Sequence, residues 1–134
     1  MRIMLDTNVL ISAILFRSEN LSRLIEKVVE DYTLVLSTYV VEELKSVVER
    51  KFPSKIKAIE KFLTALSYEL VYSPENYDGT PLFEIRDDKD YMVLHTAILA
   101  DVDILITGDK DFKDVEIERP EIVTPKEFLE KYQI

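Results

Sequence analysis

Three short runs, Ile3-Met4-Leu5, Leu34-Val35-Leu36 and Ile104-Leu105-Ile106, are apolar at every position, and each adjoins a segment with helical spacing. A strand with one wet face alternates apolar and polar residues. A strand that is apolar throughout needs cover on both faces, which crossover helices supply to parallel sheets. Helical spacing runs from Val9 to Phe16 and from Leu21 to Val29, broken near Arg17-Ser18-Glu19-Asn20. It returns from Ser37-Thr38 to about Lys51, from Pro53 to about Leu66, from Asp87 or Asp88 to about Ala100, and from Thr124-Pro125 to about Tyr132. Tyr68 to Tyr72 and Glu121-Ile122-Val123 are two further strand-like stretches. The expected fold class is α/β, a three-layer α/β/α arrangement around a central, mainly parallel sheet.

With 134 residues the chain makes one domain, spanning 1–134, and 47% apolar residues suffice for a sizeable core. The formal charge of −9 argues against passive coating of nucleic acid or anionic membrane. The chain has no Cys, and His95 is its one histidine. Thiolate zinc sites, Cys nucleophiles and multi-histidine metal sites are thereby excluded, so catalysis would fall largely to carboxylates. No stretch has the apolar length of a membrane span or signal peptide, and a cytoplasmic protein is expected.

In open α/β sheets ligands bind beyond the carboxyl ends of the strands. Asp6 follows the first apolar run and Asp109 follows the run ending at Ile106. If those strands are neighbours, the two carboxylates face one another, and their repulsion calls for a divalent cation between them. Each Asp also suits the cap of the helix that follows it. Glu43 borders the apolar stripe Val40, Leu44, Val47 and Val48, one turn into its helix, and can reach inward. Asp90 heads the face carrying Val93, Leu94 and Ala97, and is also placed to partner a cap at Asp87. Asp109 and Asp111 flank Lys110, Gly108 permits a tight turn out of the strand, and Thr107 can hydrogen-bond a neighbouring carboxylate or water. Four or five carboxylates at one sheet edge suit Mg²⁺ or Mn²⁺ rather than Zn²⁺, and such ions serve phosphoryl transfer.

Leu5-Asp6-Thr7-Asn8, Glu43-Leu44, Asp90 with Ala97 seven residues on, and Thr107-Gly108-Asp109-Lys110-Asp111-Phe112 resemble the PIN-domain ribonucleases in order and spacing, over nearly the whole chain. In length the chain is most similar to the small prokaryotic members, of which the VapC-like toxins are the familiar example. The resemblance implies a metal-dependent endoribonuclease that hydrolyses RNA with Mg²⁺ or Mn²⁺, either the toxin of a toxin–antitoxin pair or an RNA-processing nuclease. Carried over, Asp6, Glu43, Asp90 and Asp109 form the acidic quartet, Asp111 is an auxiliary metal ligand, and Thr7, Asn8 and Thr107 support that shell. The implied partners are an RNA substrate, an antitoxin protein and a second copy in a homodimer. Arg86-Asp87-Asp88-Lys89-Asp90 is denser in acid than the family's single Asp, which makes Asp87 a rival to Asp90. The segment Ser73 to Arg86 has no counterpart in the shortest members.

An acidic chain must bind RNA through local cations. Arg17, Lys89, Lys110 and Lys113 are near the site in sequence, while Lys45, Arg50, Lys51, Lys55, Lys57 and Lys61 read as a solvated face. His95 is set off the ligand face. The six phenylalanines read mostly as core or helix packing, and Tyr72, Tyr77 and Tyr91 as tyrosines able to stack on bases. The alternatives are a catalytically silent scaffold of this fold, which occupation of all four acidic positions disfavours, a receiver domain and a dehalogenase-like phosphatase. A receiver expects paired acids after the first strand, and the phosphatase expects an Asp where Asn8 stands.

Overall fold

The computed structural model describes residues 1–74 and 88–132. Among these residues five strands, β1 (Arg2–Leu5), β2 (Thr33–Ser37), β3 (Glu69–Val71), β4 (Ile104–Ile106) and β5 (Glu121–Val123), form one sheet in the order β3-β2-β1-β4-β5. All pairs are parallel, and Met4 of β1 lies opposite Val35 on one side and Leu105 on the other. Ile3, Met4 and Leu5 are fully buried, as are Val35, Leu36, Leu105 and Ile106. The apolar runs are therefore the central strands, covered on both faces as their composition requires.

Among the described residues six helices flank the sheet: α1 (Thr7–Ile14), α2 (Glu19–Asp31), α3 (Thr38–Lys51), α4 (Ile56–Ala65), α5 (Asp88–Leu99) and α6 (Pro125–Lys131). Side chains of Asp6, Ser18, Ser37 and Thr124 cap four of them, and Thr124 with Glu127 closes a reciprocal capping box. Pro53 opens a 3₁₀ turn, Pro53–Lys55, rather than the α-helix itself, which starts at Ile56. The chain steps outward from β1 to β2 to β3, then returns to place β4 on the other side of β1. Right-handed crossovers of that kind put helices on opposite faces, giving the three-layer α/β/α arrangement. The reversal also creates a crevice between the carboxyl ends of β1 and β4.

Phe112 and Phe128 are core residues, and Phe128 packs edge-on to Tyr132 with ring centroids 4.6 Å apart. Phe52 and Phe62 are half-buried. Phe16 departs from the expected core role: it is 66% exposed and only leans edge-on against Phe52, because α1 ends at Ile14 and carries it past the sheet. Phe83, Tyr77, Asp87 and all but the first two residues of the segment 73–86 lie outside the described residues. Ser73 is held at the start of that segment. Its N–H donates to Thr38 Oγ1 at 2.9 Å, and its hydroxyl lies 3.0 Å from that of Thr96 on α5. Among the described residues, no helix is long and apolar enough to cross a membrane.

Candidate active site

Asp6 leaves β1 at the crevice and is buried, with 6% of its surface exposed. One carboxylate oxygen accepts the Thr7 N–H at 2.7 Å, capping α1, and the other accepts the Thr107 hydroxyl at 2.7 Å. Thr107 leaves β4 directly opposite, and its hydroxyl oxygen in turn accepts the Asp109 N–H at 3.1 Å. One buried hydroxyl thus ties the two acidic strand ends together. Asp109 Oδ1 accepts the Asp111 N–H at 2.9 Å and caps a 3₁₀ turn, Lys110–Phe112, that the sequence pattern did not reveal. Both aspartates are caps. Each carboxylate oxygen nevertheless has a second lone pair, so capping does not preclude coordination.

Asp90 enters from the first turn of α5, where it is buried with Tyr91, Val93, Leu94 and Ala97. Asp90, Asp109 and Asp111 each offer a carboxylate oxygen within 4.8 Å of the others. Glu43, half-buried on α3 one helical turn beyond Val40, and Asp109 both act on Asp6 by charge repulsion. The five acids expected at this edge therefore divide into a close triplet, Asp90, Asp109 and Asp111, with Asp6 and Glu43 beside it. Asp111 stands inside the triplet. Asn8 reaches the same edge, its Nδ2 4.0 Å from where a Cβ on Gly108 would lie. That space, and a backbone outside the left-handed region, leave room for a side chain at 108, so the turn after β4 does not depend on glycine.

Burial is the main cause that raises the Asp6 carboxyl above its ordinary 3.8, and Glu43 and Asp109 push it further. Hydrogen bonds from Thr107 and Thr7 pull it back without cancelling the rise. A raised folded pKa means that folding favours the protonated form. The resulting penalty is absent below pH 3.8 and grows as pH rises through the folded value. Asp6→Asn, which retains a capping oxygen, is expected to raise the melting temperature of the metal-free chain at pH 7. The gap between variant and wild type should narrow on acidification, and an unchanged or lower melting temperature at pH 7 contradicts this origin of the Asp6 shift.

The donor set fits a hard divalent cation: three carboxylates within bridging reach, a fourth carboxylate held at an electrostatic cost, and no thiolate or imidazole. Thr7 Oγ1, buried and without a hydrogen-bond partner among the described residues, is a polar atom that the water shell of such an ion would satisfy.

The surrounding cations are not all where chain order suggests. Arg17 lies beyond the far end of α1, a helix of eight residues and about 12 Å that starts at the Asp6 cap. Lys89 and Glu43 share a 270 Å³ pocket with Arg50 and Tyr39. Arg50 is exposed, as its assignment to a solvated face expects, and its spacing of seven from Glu43, two helical turns, also brings it to this pocket. Tyr72 is 81% exposed, whereas Tyr91 is 5% exposed and packs edge-on to His95, so Tyr91 is core and not a stacking surface. His95 is half-buried and remains outside the acid cluster, among whose carboxylates it has no part.

Residues 2–111 match the sequence profile of the PIN domain. No curated protein matches the chain at a significant level. Among solved structures, VapBC2 from Rickettsia felis, bound to a DNA fragment from its promoter, is similar with a TM-score of 0.70 at 19% identity, covering 92% of this chain and 97% of that one. DNA-bound VapBC from Salmonella typhimurium gives 0.69 at 18% identity, covering 93% and 98%. VapC20 from Mycobacterium tuberculosis, a toxin that cleaves the sarcin–ricin loop, gives 0.61 at 12% identity, covering 83% and 92%.

Proposed function

Since the chain belongs to the PIN-domain family, we propose that it is a metal-dependent endoribonuclease of the VapC-like toxin type, hydrolysing RNA phosphodiester bonds. The observation that carries this reading is the triplet Asp90, Asp109 and Asp111, with carboxylates within 4.8 Å, beside a buried Asp6 that feels Glu43 and Asp109. Asp90, Asp109 and Asp111 would hold Mg²⁺ or Mn²⁺, with Asp6 and Glu43 completing the catalytic acids. When bound, such an ion supplies Lewis acidity toward a phosphodiester and makes water a stronger acid.

The chain's own groups orient and move protons. Thr107 fixes the direction of Asp6 and, through the Asp109 N–H, the turn that carries Asp109 and Asp111. Thr7 and Asn8 stand behind Asp6 and beside Gly108. Glu43, half-buried, would accept the proton of the attacking water. Water attacks phosphorus, the bond to the leaving ribose oxygen breaks, and that oxygen takes up a proton from solvent.

The likeness of fold to VapBC assemblies supports an antitoxin partner; on this reading the antitoxin holds the nuclease inactive, and the chain would act as a homodimer in the cytoplasm. Its mass by light scattering checks the dimer. End-labelled single-stranded and structured RNAs, incubated with the purified chain, are expected to be cut internally in Mn²⁺ and left intact in EDTA. RNA that is bound but never cut under either condition supports a catalytically silent scaffold instead.

A further inference from the structure

On the β5 side of the acids, a cleft of about 790 Å³ opens between the ends of β4 and β5 and the segment that follows Gly108. It shares Thr107 and Asp109 with the acid site, so the cleft borders the carboxylates. Its volume is that of a small-ligand pocket. Val115, Ile117 and Ile122 line it and are each half-buried, which leaves apolar side-chain surface facing the cavity.

The charges of the lining are unevenly engaged. Glu121 accepts Lys131 Nζ at 2.7 and 2.8 Å, and Glu127 accepts the Thr124 N–H at 3.2 Å in the capping box. Glu118 is the remaining exposed acid. Lys110 and Lys113 are exposed and form no ion pair among the described residues. An apolar wall, two available ammonium groups and a shared border with a phosphodiester-cutting site form the recognition pattern of a nucleotide. The wall is aliphatic, because Phe112 is 1% exposed and offers no ring to stack on. It offers a base apolar contact, while Thr124 and Glu118 add polar groups to the same lining.

We propose that this cleft is a base-selective subsite that seats the ribonucleotide adjoining the cut phosphate, with its base on Val115, Ile117 and Ile122 and its phosphate facing Lys110 and Lys113. The proposal rests on the nuclease reading for its position in the reaction, but binding can be measured without cleavage. The ¹⁵N-labelled full chain in EDTA is titrated with the four ribonucleoside 5′-monophosphates and, separately, with inorganic phosphate. Nucleotides are expected to shift the amides of Gly108, Lys113 and Ile117 saturably, and Lys113→Glu to weaken that binding by about tenfold. Ile117→Trp, which fills the cleft, should abolish it. In Mn²⁺, cuts across a random-sequence RNA should show a preferred base at one position beside the cut, and Ile117→Trp should flatten it.

Nucleotide shifts confined to other amides overturn the subsite, as does a base preference unaltered in Ile117→Trp. Phosphate binding as tight as the nucleotides reduces the cleft to an anion site and also overturns it. Because Lys113 is exposed, Lys113→Glu still tests the cleft even if the tryptophan variant does not fold: nucleotide affinity unchanged by that charge reversal overturns the subsite. Saturable nucleotide binding without any Mn²⁺-supported cleavage supports the cleft and overturns the nuclease reading, so the two failures are distinguishable.

Discussion

Asp109→Asn is expected to lower Mn²⁺-supported RNA cleavage by at least about 100-fold, because losing a ligand costs no less than losing a ligand's supporting hydrogen bond. The fold should persist. The residue is half-buried, and an asparagine oxygen can still accept the Asp111 N–H that shapes the 3₁₀ turn. What is lost is one of three negative charges within 4.8 Å, the attraction that would hold a divalent cation. Asp90→Asn removes a second member of the triplet and should act alike. Cleavage rates, Mn²⁺ titration calorimetry and circular dichroism together read this result. Equal activity in wild type and both variants would assign the cleavage to a contaminating nuclease.

Phe128→Ala is expected to produce the largest loss of stability, about 3–5 kcal/mol, the range for emptying an aromatic core site. The ring is fully buried on α6, tilted against Tyr32 of the α2–β2 connection at 6.5 Å and edge-on to Tyr132. It lies beyond residues 2–111, where the PIN-domain match ends, yet it closes the core against α2. Domains of ordinary stability have only about 5–15 kcal/mol in total, so the variant should unfold at a much lower urea concentration. A change below about 1 kcal/mol would make α6 an appendage and not part of the domain.

The central strands were legible in the sequence because burial on both faces leaves no polar position in Ile3-Met4-Leu5 or Ile104-Leu105-Ile106. Caps at Asp6, Ser37 and Thr124 were legible because a short polar side chain before an apolar run has few other uses. At the edge strand β3, Glu69 and Leu70 are exposed and the pattern is correspondingly faint. The approach of Asp6 and Asp109 followed from placing both after neighbouring parallel strands, since strand order fixes which ends share a crevice.

Other features depended on packing between elements distant in sequence. Tyr91 looks amphipathic in isolation, but α5 buries it as well as Val93 and Leu94, a wider face than one stripe. Arg50 belongs by composition to a basic helix surface, and only the approach of Lys89 from α5 reveals a pocket beside Glu43. The hydrogen bond from Thr107 to a neighbouring carboxylate was expected, but the ties from Ser73 to Thr38 and Thr96 join side chains whose individual positions carry no periodic signal. Such polar links specify one arrangement of a core without announcing themselves in its pattern.

Strand β1 is made early, yet its neighbour β4 arrives about a hundred residues later, and the two must pair in register before Asp6 meets Thr107 and Asp109. Pairings so distant in sequence form late in folding. A nascent chain that has emerged from the ribosome only through α4 carries Asp6 and Glu43 without the triplet. On the proposed reading, products of termination before Ile104 lack β4, Asp109 and Asp111 and should likewise be inert toward RNA.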